Sequence, residues 1–192
     1  MSYSLTKRTA IVYGIRIDNP HTWADITIEE WQGGGSFKCI SDYGNYSHIW
    51  GSIGESSLRE FLCSLDKHYF LKKVTEYKYL EFDCEATLAG IRKDIIKYRR
   101  DGEIDKELAR ECFDEAQPGT DLSDCDNSTL FWERLYQSSI LNGAYDGEGT
   151  NVNTQERIKP QCQGFWDIVW PVACEIWREE LRSATDATQK GA

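Results

Sequence analysis

The residues able to do chemistry in this 192-residue chain gather in two places. The first is SDYGNYSHIWGSIGES, residues 41–56, which brings Asp42, Tyr43, Asn45, Tyr46, His48 and Trp50 into one short run. An acid, two phenols, an amide and an imidazole at a strand end beside a helix N-terminus could line a small pocket. Such positions collect ligands and favour anions. The same residues also suit plain packing, with glycines at the bends and aromatics laid against the helix that follows. Tyr43 and Tyr46 are three apart, so a regular strand cannot put them on one face, and Gly44 reads as a bulge that re-aims one of them.

The second place is a run of charge. Residues 101–126 hold ten Asp/Glu against two bases, whereas residues 67–100 hold nine Lys/Arg against five acids. One reading is a solvated basic helix followed by a solvated acidic one. The sharper reading is an acidic ridge, carried by Asp114, Glu115, Asp121, Asp124 and Asp126, that docks on a positively charged groove of another protein. Trp132, Trp166, Trp170 and Trp177 are candidate aromatic anchors beside it, and Trp132 is the one placed with the ridge. The other three recur at helical spacing, which favours core packing.

Other chemistry finds little support. The histidines are His21, His48 and His68, and Cys63 and His68 are poorly spaced for one helical face. Asp124, Asp126 and Ser128 resemble the start of a calcium loop, but Thr129 stands where its glycine belongs and Leu135 where its glutamate belongs. No metal and no cofactor is therefore expected. The chain has no G-x-S-x-G, no H-E-x-x-H, no phosphate loop and no dinucleotide fingerprint. The expectation is a protein that is not an enzyme, with a small enzyme or small-molecule sensor built on Asp42–Trp50 as the alternative.

The elements that must position these residues follow from periodicity. Residues 8–17 alternate, residues 22–31 are β-branched and aromatic, a glycine triplet follows, and residues 37–50 form a third extended run. Three strands joined by short connections make an antiparallel meander. From residue 55 the period changes, and apolar stripes predict helices over 55–74, 82–102, 104–116 (capped by Asp105), 126–143 and 160–184, the last interrupted at Pro171. Residues 142–160 read as the longest polar loop and 185–192 as a frayed tail. The fold expected is α+β: an N-terminal three-stranded antiparallel sheet followed by about five helices on one of its faces, in a single domain over residues 1–184.

Bulk properties bound the partners. Net charge is −10 and pI about 4.8, so direct binding of nucleic acid or of an anionic membrane is disfavoured, while a basic protein surface is favoured. Seven cysteines, an odd count without a C-x-x-C pair, read as small core hydrophobes of a reducing compartment. With no apolar leader visible at Met1–Gly14, the expected setting is the cytoplasm.

Beyond these residue-level readings, DYGNYSHIWGSIG, REFLCSLDKHYFLKKV, FDCEATL and FWDIVWPVACEIWREEL together resemble a set of small phage- and prophage-encoded proteins. The resemblance covers roughly residues 20–100 and the last helix. It implies a mobile-element gene and supplies no activity. By class analogy, small acidic phage proteins resemble inhibitors of host defence, including CRISPR-type complexes, and this would give the acidic ridge a target. A phage assembly accessory is the further alternative. Oligomeric state is not readable.

Overall fold

The computed structural model describes residues 1–17, 22–54 and 56–190, with the side chains of 185 and 188–190 left aside. His21 lies outside the described residues. Where one domain is expected, the chain divides into two compact units, Met1–Tyr79 with Ile158–Ala192, and Leu80–Arg157.

The first unit is built on a four-stranded antiparallel sheet in chain order, β1 (Ile11–Arg16), β2 (Trp23–Trp31), β3 (Gly34–Ser41) and β4 (Gly44–Trp50). The antiparallel meander holds, but with four strands instead of three. The expected third strand, 37–50, is a hairpin. Its backbone reverses at Asp42 and Tyr43 because Gly44 adopts φ +114°, a conformation that side chains with a Cβ rarely take. Gly44 is thus a turn residue and not a bulge within one strand. The Asp42 carboxylate accepts the Trp23 backbone N–H at 2.8 Å and Ser41 Oγ donates to the Gly44 carbonyl at 2.9 Å, which pins the turn.

Alternation then decides the two faces. Ile15, Ala24, Ile26, Ile28, Phe37, Cys39, Tyr46 and Trp50 point inward and are buried, while Val12, Ile40 and Ile49 point outward and are exposed. The inward face is covered by helices, but only by those that immediately follow the sheet and by the last helical run; the other helices, expected on the same face, close on a core of their own. The expected helix 55–74 is two, α1 (Leu58–Ser64) and α2 (Lys67–Val74), because Leu65 is extended and the Asp66 carboxylate caps α2 through the Tyr69 N–H at 3.0 Å. Ser57 and Glu60 form a reciprocal capping box at the start of α1.

The last helical run comprises α7 (Pro160–Gly164), a π-helical turn Phe165–Val169 and α8 (Trp170–Lys190). The wide turn lies just before Pro171, whose ring has no N–H to donate and would crowd the preceding turn of a regular α-helix. The run continues to Lys190, so residues 185–190 of the expected frayed tail are helical. Phe70, Phe165, Trp170 and Trp177 fill the space between these helices and the sheet.

The second unit is mostly helical: α3 (Cys84–Asp101), α4 (Lys106–Glu115), α5 (Ser128–Leu135) and α6 (Ser139–Ala144) close on Leu88, Ile91, Ile95, Cys112, Phe131, Leu135 and Ile140. The expected helix 126–143 is again two, broken at Tyr136–Ser138. Two short strands, β5 (Leu80–Asp83) and β6 (Gln155–Ile158), pair as a separate ribbon that periodicity did not suggest. Among the described residues no helix is long and apolar enough to cross a membrane.

The seven cysteines carry no disulfide. Thiol titration of the denatured, unreduced protein is expected to return all seven; five or fewer would contradict the reading of these residues as reduced core side chains.

Candidate functional site

Charge is distributed unequally between the two units. Leu80–Arg157 carries 18 Asp/Glu against 9 Lys/Arg, a balance of −9, while the other unit carries 14 against 13. Almost the whole net negative charge of the chain therefore resides in the helical unit.

Helical geometry explains how α4 displays its share. Asp105 caps the helix by accepting the Leu108 N–H at 2.8 Å. Ala109 and Cys112 turn inward and are buried, which leaves Glu107, Arg110, Glu111 and Asp114 exposed at spacings of three and four on the opposite face. After α4 the chain turns through Gln117–Thr120, with the Thr120 hydroxyl donating to the Glu115 and Gln117 carbonyls. A 3-10 turn, Asp121–Asp124, follows; buried Leu122 anchors it and leaves Asp121 and Asp124 exposed. Asp126 is exposed beside Asn127, which caps α5 through the Leu130 N–H at 2.9 Å.

Four of the five predicted docking carboxylates, Asp114, Asp121, Asp124 and Asp126, are thus exposed on neighbouring segments of one unit. Among the described residues the only ion pair they make is Arg110–Asp114, at 3.8 Å and solvent-exposed, which is worth at most about 1 kcal/mol. Glu115 differs. It is half-buried and its carboxylate accepts the Ser139 N–H at 3.0 Å, so it ties the end of α4 to the start of α6. Glu115 and Asp121 also line a cleft of about 360 Å³ with Thr120, Gln137, Ser138 and Arg134, whose guanidinium donates to the Asp121 carbonyl. That single cation leaves the surrounding surface acidic.

Of the four tryptophans considered as anchors, only Trp132 belongs to this unit. It is half-buried and packs against Phe131 and Tyr136. Trp170 and Trp177 are buried in the core of the sheet-bearing unit, and Trp166 packs on that core.

The other candidate stretch does not converge on one opening. Asp42 and Tyr43 form the hairpin turn, Asn45 points to the outer face of the sheet, and Tyr46, His48 and Trp50 alternate on the inner face. Tyr43 lies so close to the helix at Gly164 that a Cβ there would overlap its ring. The Tyr46 hydroxyl donates to the Tyr43 carbonyl at 2.7 Å, and burial pushes its phenol well above the ordinary range, so it remains protonated at neutral pH. His48 meets Trp50 edge-on at 4.6 Å between ring centroids.

Burial, and then the nearby Lys73 charge, lower the His48 pKa below its usual 6.5. The unfolded chain therefore binds this proton more readily than the folded one. The resulting stability is fully present above pH 6.5 and is lost as pH falls through that value towards the folded pKa. A His48→Gln variant is expected to lose less thermal stability than wild type between about pH 7.5 and about pH 5.5. An equal or larger loss in the variant would contradict this assignment.

Residues 5–179 match the model of Phage_phiTE_072, described as a phage family. No curated protein and no solved structure matches the chain.

Proposed function

The chain belongs to the phage family Phage_phiTE_072, and from that premise we propose that it acts in the host cytoplasm by binding, without catalysis, to a host protein with a basic surface. In its concrete form, the acidic face of α4 and the 3-10 turn occupies a groove that otherwise holds nucleic acid, so the protein inhibits a nucleic-acid-targeting defence complex such as a CRISPR-type effector.

The observation that carries this reading is the concentration of charge: a balance of −9 in Leu80–Arg157, with Asp114, Asp121, Asp124 and Asp126 exposed together. Carboxylates spaced along a rigid helix and turn present a charge pattern that a phosphate-binding groove can accept. The aromatic stretch at residues 42–50 is occupied by packing and turn contacts, which lends the pocket alternative no comparable support.

Affinity purification of the tagged chain from a host lysate tests the proposal. A stoichiometric protein with a basic nucleic-acid groove, retained at low salt and released by about 0.5 M salt, is expected. Recovery of a small ligand without such a protein would overturn it.

A further inference from the structure

A second opening in the acidic unit lies between the β5–β6 ribbon and α5. It is a cleft of about 520 Å³ lined by Glu81, Phe82, Ser128, Trp132, Thr154 and Glu156. Its aromatic wall is held in place. Trp132 is flanked by Phe131 and Tyr136, and the Gly149 backbone comes so close that a Cβ there would stand 3.0 Å from the indole. Phe82 packs on Phe131 with ring centroids 5.1 Å apart.

The polar lining is unequal. Glu81 already holds a guanidinium, that of Arg157, at 2.9 Å. Glu156 is exposed and makes no ion pair among the described residues. An indole, an uncommitted carboxylate and the hydroxyls of Ser128 and Thr154 therefore surround one space.

We propose that this cleft receives an arginine side chain of the basic partner, with its guanidinium stacked on Trp132 and donating to Glu156. This rests on the reading above that the acidic unit binds a basic protein. The chemistry selects arginine. A flat guanidinium can stack on an indole while its edge N–H groups donate in plane to a carboxylate and hydroxyls. Lysine offers a compact, strongly hydrated charge with no flat face. An anionic ligand would meet Glu81 and Glu156, and a wholly apolar one would leave Glu156 without a partner. The cleft would thus give a directional anchor to a surface whose remaining attraction is long-range and undirected.

The test uses the whole chain and three probes, the N-acetyl amides of arginine, lysine and citrulline. Citrulline keeps the size and much of the planarity of arginine but carries no charge. The readout is the indole N–H resonance of Trp132 in ¹⁵N-labelled protein, assigned with Trp132→Phe. Saturable movement of that resonance by the arginine probe is expected, with weaker movement by lysine and none by citrulline. Glu156→Gln should weaken arginine binding about threefold or more, with the other indole resonances unmoved as evidence of an intact fold. No movement of Trp132 with arginine, or equal movement with citrulline, would overturn the proposal. The two readings fail separately. If the arginine probe fails while a basic partner still binds, the cleft is wrong and the acidic-surface reading stands. If the probe seats on Trp132 but no basic protein binds the chain, the cleft stands and the partner reading falls.

Discussion

Converting Asp114, Asp121, Asp124 and Asp126 together to lysine is expected to slow association with the basic partner about 10- to 100-fold at low salt, with a much smaller effect on dissociation. The four substitutions alter the local charge by eight while leaving backbone contacts in place. Attraction between complementary charged surfaces acts mainly on encounter, so the deficit should shrink as added salt shortens the screening length. The variant should remain folded, because all four side chains are exposed and the one ion pair lost, Arg110–Asp114, is itself exposed. Glu115 is kept out of the set. Its carboxylate accepts the Ser139 N–H, and its replacement would confuse loss of docking with loss of a joint between helices. Stopped-flow association over a salt series provides the measurement. A variant that binds as fast as wild type would remove the acidic face from the interface, and a matching loss in Tyr43→Ala or His48→Ala would return attention to the hairpin.

The second large effect concerns the sheet-bearing unit. Phe70→Ala is expected to destabilise the protein by about 3–5 kcal/mol. Phe70 is fully buried, and its ring lies 4.0 Å from Trp170, 5.5 Å from Phe37, 5.7 Å from Trp166 and 6.1 Å from Phe165, centroid to centroid. Truncation opens a cavity among large rigid rings, none of which can collapse into it without leaving its own contacts. A loss of that size is a large part of the stability of an ordinary domain. Chemical denaturation gives the value directly, and a loss below about 1 kcal/mol would mean that this aromatic cluster is looser than its geometry implies.

How far such features can be read from the sequence depended on whether the governing interaction is local. Asp105 as a helix cap and residue 102 as the end of the helix before it each follow from neighbours within a few residues, and each is found. Local chemistry was also present at Asp66, where an aspartate inside an apolar stripe ends one helix and starts the next. The stripe alone concealed it, because Leu62 and Tyr69 keep helical spacing across the break. Gly44 reads from the sequence as a bulge and is a turn residue, since a bulge and a hairpin both use a glycine between alternating runs. What decides between them is the pairing of Ser41 with Gly44, a contact that the meander as a whole imposes.

Long-range features were less legible. β6 is QERI, a polar run with no alternation strong enough to mark a strand, and its partner β5 lies some 70 residues earlier in the chain. The acidic run was visible as composition, but the difference between exposed Asp121 and the tethered Glu115 depends on α6, which no spacing rule brings to α4. Trp132 stands out in the sequence by residue type alone. The cleft beside it required β5, β6 and α5 to meet, and the only trace of that in the sequence is a tryptophan on a short helix within an acidic region.

The most direct measurement is competition on the isolated partner. A labelled nucleic acid bound to that partner is followed by fluorescence anisotropy while the phage protein is added. Displacement of the nucleic acid is expected at one equivalent of wild-type protein, and with the four-lysine variant only at much higher concentration. Formation of a ternary complex, with the nucleic acid still bound at saturating phage protein, would contradict it.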